Sequence, residues 1–556
     1  MVEVQDRSRE TPVEVRPMTG GQALVTSLVR QGIDTIFGLP GVQLDGAFDA
    51  LYDAQESGDI RVIHPRHEQT TAYMADGYAR TTGRIGTCLV VPGPGLLNAT
   101  AALSTAYACN SPVLCVTGQI QSDLIGVGRG MLHEIPNQLE MVRSVAKHAE
   151  RATKPEEIPG LVDRAVRELW TGRVRPVEIE IPPDTLFATS EVELMAPVPD
   201  RERPSGDPDR LEQAAKLLGQ AERPMIFSGG GILGSEAWGE LQALAEMLQA
   251  PVAMSPNGKG ALSDRHELAQ NSVGAMALID DADVILCVGT RMIEPATYPW
   301  GLEPGRTVIH MDIDPEEVGR NYNVTVGIVA DAKAGLLELI DRVGTHNRSR
   351  ESREDELTGI KQSARARLDS IQPQASFARA IRDELPEDGI FVGEMTQIGY
   401  WGNLGFPVYQ PRTYLTPGYQ GTLGWGFPTS LGVKIGNPDK VVVSVNGDGG
   451  FGFALNELAT MAKHQIGAIA IVFNDSAFGN VRRIQQVSFD GRTIASDLDN
   501  PDYVKLAEAF GVTGRRATSP EALQSAVRES IKADEPTLIE VPVEQMPDPW
   551  KSLSFR

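Results

Sequence analysis

Apolar residues in this chain come in short blocks rather than long stripes. VVVSV (441–445), AIAIVF (468–473), VLCVTG (113–118) and VILCV (284–288) are rich in valine and isoleucine and end at glycine, asparagine or threonine. That is the pattern of strands buried on both faces of a parallel sheet. Between such blocks lie segments with apolar positions at helical spacing. In ALNELATMAKH, for example, Leu455, Leu458, Ala459 and Ala462 recur at that spacing. Strands alternating with helices along nearly the whole chain predict an α/β protein of doubly wound parallel sheets.

The blocks fall into three groups. Residues 17–190 hold DTIFGLPG, RVIHP, GTCLVVPGPG, PVLCVTGQ and PVEIEIPP as strand candidates. Residues 206–343 hold RPMIFSGGG, PVAMS, ADVILCVG and TVIHMDID, and residues 365–556 hold GIFVGE, RTYLT, KVVVSVNGDG, AIAIVFND and PTLIEVPV. LFATSEVELMAPVPDRERPSGDPD, polar and studded with proline, is expected to link the first two groups; THNRSRESREDELTG leads toward the third. A length of 556 residues agrees with about three domains.

Composition narrows the classes of partner. A net charge of −23 argues against a nucleic-acid partner, which calls for clustered lysine and arginine. No apolar run approaches the ~18 residues of a membrane span. The mixed-charge residues 1–16 are expected to be a disordered tail rather than a signal sequence. Four cysteines in apolar surroundings, none in CxxC spacing, suit reduced core residues of a cytoplasmic protein.

The chemistry concentrates at VNGDGGF (445–451), where Asp448 sits among glycines directly after a buried strand. A helix and a second strand follow, and that strand ends at Asn474-Asp475. In a βαβ unit the two strands are parallel and close, so Asp448 and Asp475 emerge together at the strand ends where α/β sheets bind ligands. Two carboxylates there can share Mg²⁺, which completes its shell with phosphate oxygens and water. Gly449 and Gly450 would let a diphosphate approach backbone N–H groups. Taken alone, GDG would more often be a glycine turn with a solvated aspartate.

With the βαβ unit and Asn-Asp included, the chain resembles the thiamine-diphosphate enzymes related to acetohydroxyacid synthase and pyruvate decarboxylase. The resemblance runs nearly full length, through PGPGLLN (92–98) and TGQ (117–119). It implies three domains: pyrimidine-binding, central Rossmann-like and diphosphate-binding. It implies that Asp448, Asp475 and the Ala477 carbonyl hold Mg²⁺, with Asp475 standing where the family usually has asparagine. Glu68 takes the position of the glutamate that activates the cofactor. Leu423, in GTLG after Gly421, would support the bent cofactor. Gly393, Glu394 and Met395 would line its pyrimidine, and Phe478, Gly479 and Asn480 would follow the metal site. An alternative for Glu68 is a helix cap, and for Leu423 a core leucine.

Around the reacting carbon the resemblance places Val42, Gln43, Gln119, His133, Glu134, Lys147 and Ile484. It implies decarboxylation of a small 2-ketoacid such as pyruvate and transfer of the acyl fragment to a carbonyl acceptor, with a homodimer or homotetramer whose active sites lie at the subunit interface. Val42 replaces a family glycine and Ile484 a tryptophan, so a changed acceptor pocket is expected. A 1,2-diketone hydrolase and a simple 2-ketoacid decarboxylase are the alternatives. SGGGILG (228–234) carries a dinucleotide-type glycine pattern, but the next strand ends in Ser-Pro-Asn without the acid that binds a ribose, which argues against NAD. The resemblance offers FAD instead. Of the family's arginine-rich signature RMIEP keeps only Arg291, so the expectation leans toward FAD being absent.

Overall fold

The structure, a computed structural model, describes residues 14–292 and 305–552. The chain divides into two compact units. The first comprises residues 1–76, 85–107 and 111–201, and the second residues 77–84, 108–110 and 202–556.

Within the first unit a six-stranded sheet runs, edge to edge, Arg61–Ile63, Thr35–Gly38, Gly86–Val90, Val113–Gly118, Val177–Ile181, His148–Arg151. Every pairing in it is parallel. The second unit holds two further parallel six-stranded sheets. The central one runs Ala269–Gln270, Val252–Met254, Pro224–Ser228, Val284–Val288, Thr307–Asp312, Val326–Val329. The C-terminal one runs Tyr414–Leu415, Ile390–Gly393, Val442–Gly447, Ile469–Asn474, Thr537–Pro542, Thr513–Arg516. Each block thus forms the expected doubly wound α/β layer. The cores are built from the strand interiors and facing helices, with Phe391, Trp401 and Ile471 fully buried in the C-terminal one.

Two expectations need correction. The tail ends earlier than residue 16, because Glu14–Thr19 forms a strand; residues 1–13 lie outside the described residues. The segment expected to be a linker contains its partner, Thr189–Leu194, paired antiparallel from Glu14↔Leu194 to Thr19↔Thr189. Alternating polar residues (TSEVEL) let this two-stranded ribbon keep one face in water.

The site-bearing βαβ unit forms as read. Val442–Gly447 and Ile469–Asn474 are parallel neighbours in register from Val443↔Ile469 to Gly447↔Phe473. Asp448 and Asn474-Asp475 therefore leave the sheet at the same edge. The GDGGF loop is itself one turn of helix, Asp448–Phe451, followed by Leu458–Lys463. Among the described residues no helix is long and apolar enough to cross a membrane.

Candidate active site

Asp448 is buried at 3% exposure at the head of its short helix. Its Oδ2 accepts a 2.6 Å hydrogen bond from Asn500 Nδ2 and a 3.2 Å bond from the Ala477 N–H. Asn500 also donates to Asn474 Oδ1 at 2.9 Å, and Asn474 donates to Glu540 at 2.9 Å. The Ser476–Phe478 segment is pinned against residues 496–498: Phe478 N–H donates to Ser496 O at 2.8 Å and Leu498 N–H to Ser476 O at 2.9 Å. Asp448, Asp475 and Ala477 are thereby brought into one cluster.

Charge in this cluster is under pressure. Burial pushes the Asp448 carboxyl up despite the donors around it. Burial first, and then the neighbouring Asp448, raise Asp475 to about 6, while the Arg482 guanidinium pulls it back. Arg482 lies 3.7 Å from Asp475 Oδ2 and donates to the Asp475 carbonyl at 3.2 Å. It offsets the charge that aspartate adds where asparagine is usual. Two half-desolvated carboxylates held together are a donor set that favours a hard cation.

The glycines of the loop form a cradle. A Cβ on Gly449 would stand 2.6 Å from the Phe478 ring, and one on Gly450 would stand 2.4 Å from Glu394 Oε1. Glu394 follows the strand Ile390–Gly393 and is 2% exposed. It accepts the N–H groups of Gly424 and Trp425, yet burial dominates and drives its carboxyl up to about 8. Its Oε2 is buried with no hydrogen-bond partner among the described residues. Glu394 so ties the end of the strand Ile390–Gly393 to the GTLG turn, where Gly421 (φ 56°) and Gly424 (φ 75°) bracket a half-buried Leu423. Met395 packs behind Gly421. The residues present therefore fit a diphosphate and its cation.

The first unit carries the other candidates. Glu68 opens the helix Glu68–Thr82, half-buried, and its Oε2 accepts from Asn98 Nδ2 at 3.0 Å. Asn98 belongs to PGPGLLN, so the two quoted motifs meet here. Gln119 follows the strand Val113–Gly118 and is 4% exposed. A cavity of about 410 Å³ lies at this sheet edge, lined by Val42, Gln43, Ile120, Leu132, Asp184 and Phe187 among others. Gln43 Nε2 donates to Leu132 O at 3.1 Å. His133 has φ 70° and a buried Nδ1 with no hydrogen-bond partner among the described residues. Glu134 closes its own loop by accepting from Gly128 and Met131 N–H groups.

Lys147 is placed differently from the expectation. Its ammonium donates to the carbonyl of Glu168, at 2.6 Å, in the last turn of the helix Ile158–Trp170, and to that of Thr171, the helix's C-cap. Cations cap helix C-termini because those carbonyls lack partners. In the second unit Ile484 is 44% exposed on the helix Gly479–Ser488, and Asn480 accepts from Arg483 at 2.6 Å.

The glycine-rich loop of the central domain is used for packing. Gly231 N–H donates to Gly289 O at 3.1 Å, and a Cβ on Gly231 would stand 2.6 Å from Gly289 Cα. Arg291 lies over the Tyr419 ring at 4.5 Å, and residues 293–295 of RMIEP lie outside the described residues.

Asn500, Arg482, Asn98, Glu180 and Gln138 were not singled out from the sequence. Arg482 could have been found by asking what offsets the charge of Asp475. Asn500 lies 52 positions after Asp448, and nothing local marks it.

Comparison with known proteins agrees with this geometry. Residues 18–141 match the family described as thiamine pyrophosphate enzyme, N-terminal TPP binding domain. Residues 211–339 match its central domain, and residues 394–541 its C-terminal TPP binding domain. A probable acetolactate synthase large subunit of Methanocaldococcus jannaschii is 34% identical, covering 95% of this chain and 93% of the relative. A probable 2-ketoarginine decarboxylase of Pseudomonas aeruginosa is also 34% identical, covering 95% and 94%. The acetolactate synthase isozyme 3 large subunit of Escherichia coli is 31% identical, covering 93% and 92%. With three α/β layers, a buried aspartate on a glycine cradle and matches in all three domains, the chain belongs to the thiamine-diphosphate-dependent enzymes of the acetolactate synthase-like family.

Proposed function

We propose that the protein decarboxylates a small 2-ketoacid and transfers the acyl fragment to a carbonyl acceptor, with Mg²⁺ and thiamine diphosphate bound at the Asp448 cluster. The observation that carries this reading is the buried Asp448, hydrogen-bonded by Asn500 and the Ala477 N–H beside a second raised carboxyl, Asp475. Asp448, Asp475 and the Ala477 carbonyl would hold the metal; Gly449 and Gly450 would admit the diphosphate. When bound, thiamine diphosphate supplies a nucleophilic carbon and takes up the electron pair released with CO₂.

The chain's own residues do the rest. Glu68, oriented by Asn98, would exchange a proton with the cofactor's pyrimidine. Leu423 would support the bent cofactor and Met395 would line its pyrimidine, while Glu394 fixes the GTLG turn. Gln119 and His133 stand at the substrate, with Val42, Gln43 and Ile484 shaping the acceptor pocket. Lys147 has a structural role as a helix cap. Arg482 keeps Asp475 from repelling the diphosphate. The reading includes homodimeric or homotetrameric assembly, a cytoplasmic location and no flavin.

A simple decarboxylase is the second reading, favoured by the 2-ketoarginine decarboxylase relative. Calorimetry of thiamine diphosphate with and without Mg²⁺, followed by a panel of 2-ketoacids and aldehydes read by mass spectrometry, tests both. Metal-dependent cofactor binding, CO₂ release and a ligated hydroxyketone are expected. CO₂ with free aldehyde alone favours the second reading, and absence of cofactor binding overturns both.

A further inference from the structure

The sheet of the first unit contains a buried polar network centred on an acid, Glu180, to which the proposed mechanism gives no role. Glu180, on the strand Val177–Ile181, is fully buried. Its Oε1 accepts from Gln119 Nε2 at 3.2 Å and from Arg151 Nε; its Oε2 accepts from Gln138 Nε2 at 2.6 Å. Arg151 is the register partner of Glu180 on the neighbouring strand and supplies the counter-charge. Gln138 in turn donates to Gly118 O at 3.1 Å and accepts from Gly93 N–H at 3.0 Å.

A carboxylate only accepts hydrogen bonds, so the atom of Gln119 that faces Glu180 must be its nitrogen. The Gln119 oxygen is then the atom that takes the Ile120 N–H at 2.8 Å. The opposite flip would set oxygen against oxygen and N–H against N–H. One carboxylate therefore decides which end of the Gln119 amide is which, and leaves its second N–H as the group still available to donate.

We propose that Glu180, neutralised by Arg151 and braced by Gln138, is a positioning residue that makes Gln119 a hydrogen-bond donor to a substrate oxygen, the carboxylate or developing alkoxide of a 2-ketoacid. The inference rests on the reading above that Gln119 stands at the substrate. Gln138 extends the same reference frame to PGPGLLN, whose Asn98 holds Glu68, so one buried anion sets two groups of the site. Glu180→Gln alone would keep its amide oxygen on Arg151 and Gln119, because a guanidinium only donates; Glu180→Gln/Arg151→Met removes the group that pins that oxygen and lets the Gln119 amide take either flip.

The test is a double-mutant cycle on the holoenzyme with pyruvate, or the panel ketoacid turned over fastest, as substrate. Glu180→Gln/Arg151→Met is expected to lower kcat about tenfold, with thiamine diphosphate Kd unchanged within about twofold. In a Gln119→Leu background the same pair of substitutions is expected to cost nothing further. Calorimetry with acetylphosphonate, an unreactive ketoacid mimic, should show the same non-additivity in Kd. Gln138→Met is run in parallel and should show a loss only when Gln119 is present. Equal losses in both backgrounds, or an unchanged kcat in soluble Glu180→Gln/Arg151→Met, would overturn the positioning role. Full activity in Gln119→Leu would instead overturn the placement of Gln119 at the substrate.

Discussion

Replacing Glu394 by glutamine isolates the energetic cost of burying an acid at the cofactor cradle. Glu394 is 2% exposed, and its carboxyl is raised from 4.5 to about 8, chiefly by burial. Because the folded value lies above the unfolded one, the folded protein holds a proton that the unfolded chain has lost throughout that window. Stability contributed by this group is complete below the unfolded pKa and is lost as pH rises toward the folded one. The slope is ~1.4 kcal/mol per pH unit, so from about pH 5.5 to about pH 7.5 the acid costs the fold about 3 kcal/mol more. Glutamine copies the protonated acid: its oxygen accepts the Gly424 and Trp425 N–H groups and its NH₂ takes the place of the O–H. The stability difference between Glu394→Gln and the parent should therefore grow with pH by that amount. Urea denaturation of the cofactor-free protein at a series of pH values measures it, the cofactor being omitted because binding adds its own linkage. A difference that stays constant with pH, whatever its size, would refute the account.

Three further outcomes follow from the same geometry. Gly450→Ala puts a Cβ 2.4 Å from Glu394 Oε1, a clash present without any cofactor, and the urea midpoint of the cofactor-free protein should fall by an amount equivalent to roughly 1–3 kcal/mol. Asp475, raised to about 6, must lose its proton to hold a cation; Mg²⁺ titrations should show affinity falling below that pH by up to about tenfold per unit, a dependence that Asp475→Asn flattens. Lys147→Met should keep kcat within about twofold while thermal unfolding shifts down by a few degrees, the loss of a helix cap being worth ~1 kcal/mol.

How much of this was legible in the sequence depended on where each strand sits. The expected strands include the interior strands of all three sheets, nearly all of them apolar runs, with VEIEI (177–181) the exception. Those not anticipated are at edges or outside the sheets: HAER (148–151), TGRR (513–516), AQ (269–270), VGIV (326–329) and the ribbon of Glu14–Thr19 with Thr189–Leu194. An edge strand needs apolar side chains on fewer positions and gains from charge that discourages further pairing, so its composition no longer announces it. The active site divides in a similar way. GDGG and Asn-Asp are read directly because the chain itself carries both ends of the βαβ unit. Asn500 and Arg482 meet these residues only once the chain has folded.

The strand VEIEI (177–181) shows where a closer reading would have gone further. Its alternation suggests one face in water, as in an antiparallel sheet. Yet it is an interior strand of a parallel sheet, where both faces are covered, and Glu178 and Glu180 are both 0% exposed. An acid in such a strand has to be neutralised, paired or engaged. Burial and the neighbouring Glu180 raise Glu178 well above the usual carboxylate range, so it is held neutral. Glu180 meets the same demand by taking the Arg151 charge and the amides of Gln119 and Gln138. Two acids two residues apart thus resolve the cost of burial in opposite ways, and the one paired with Arg151 is the one that engages its neighbours' amides.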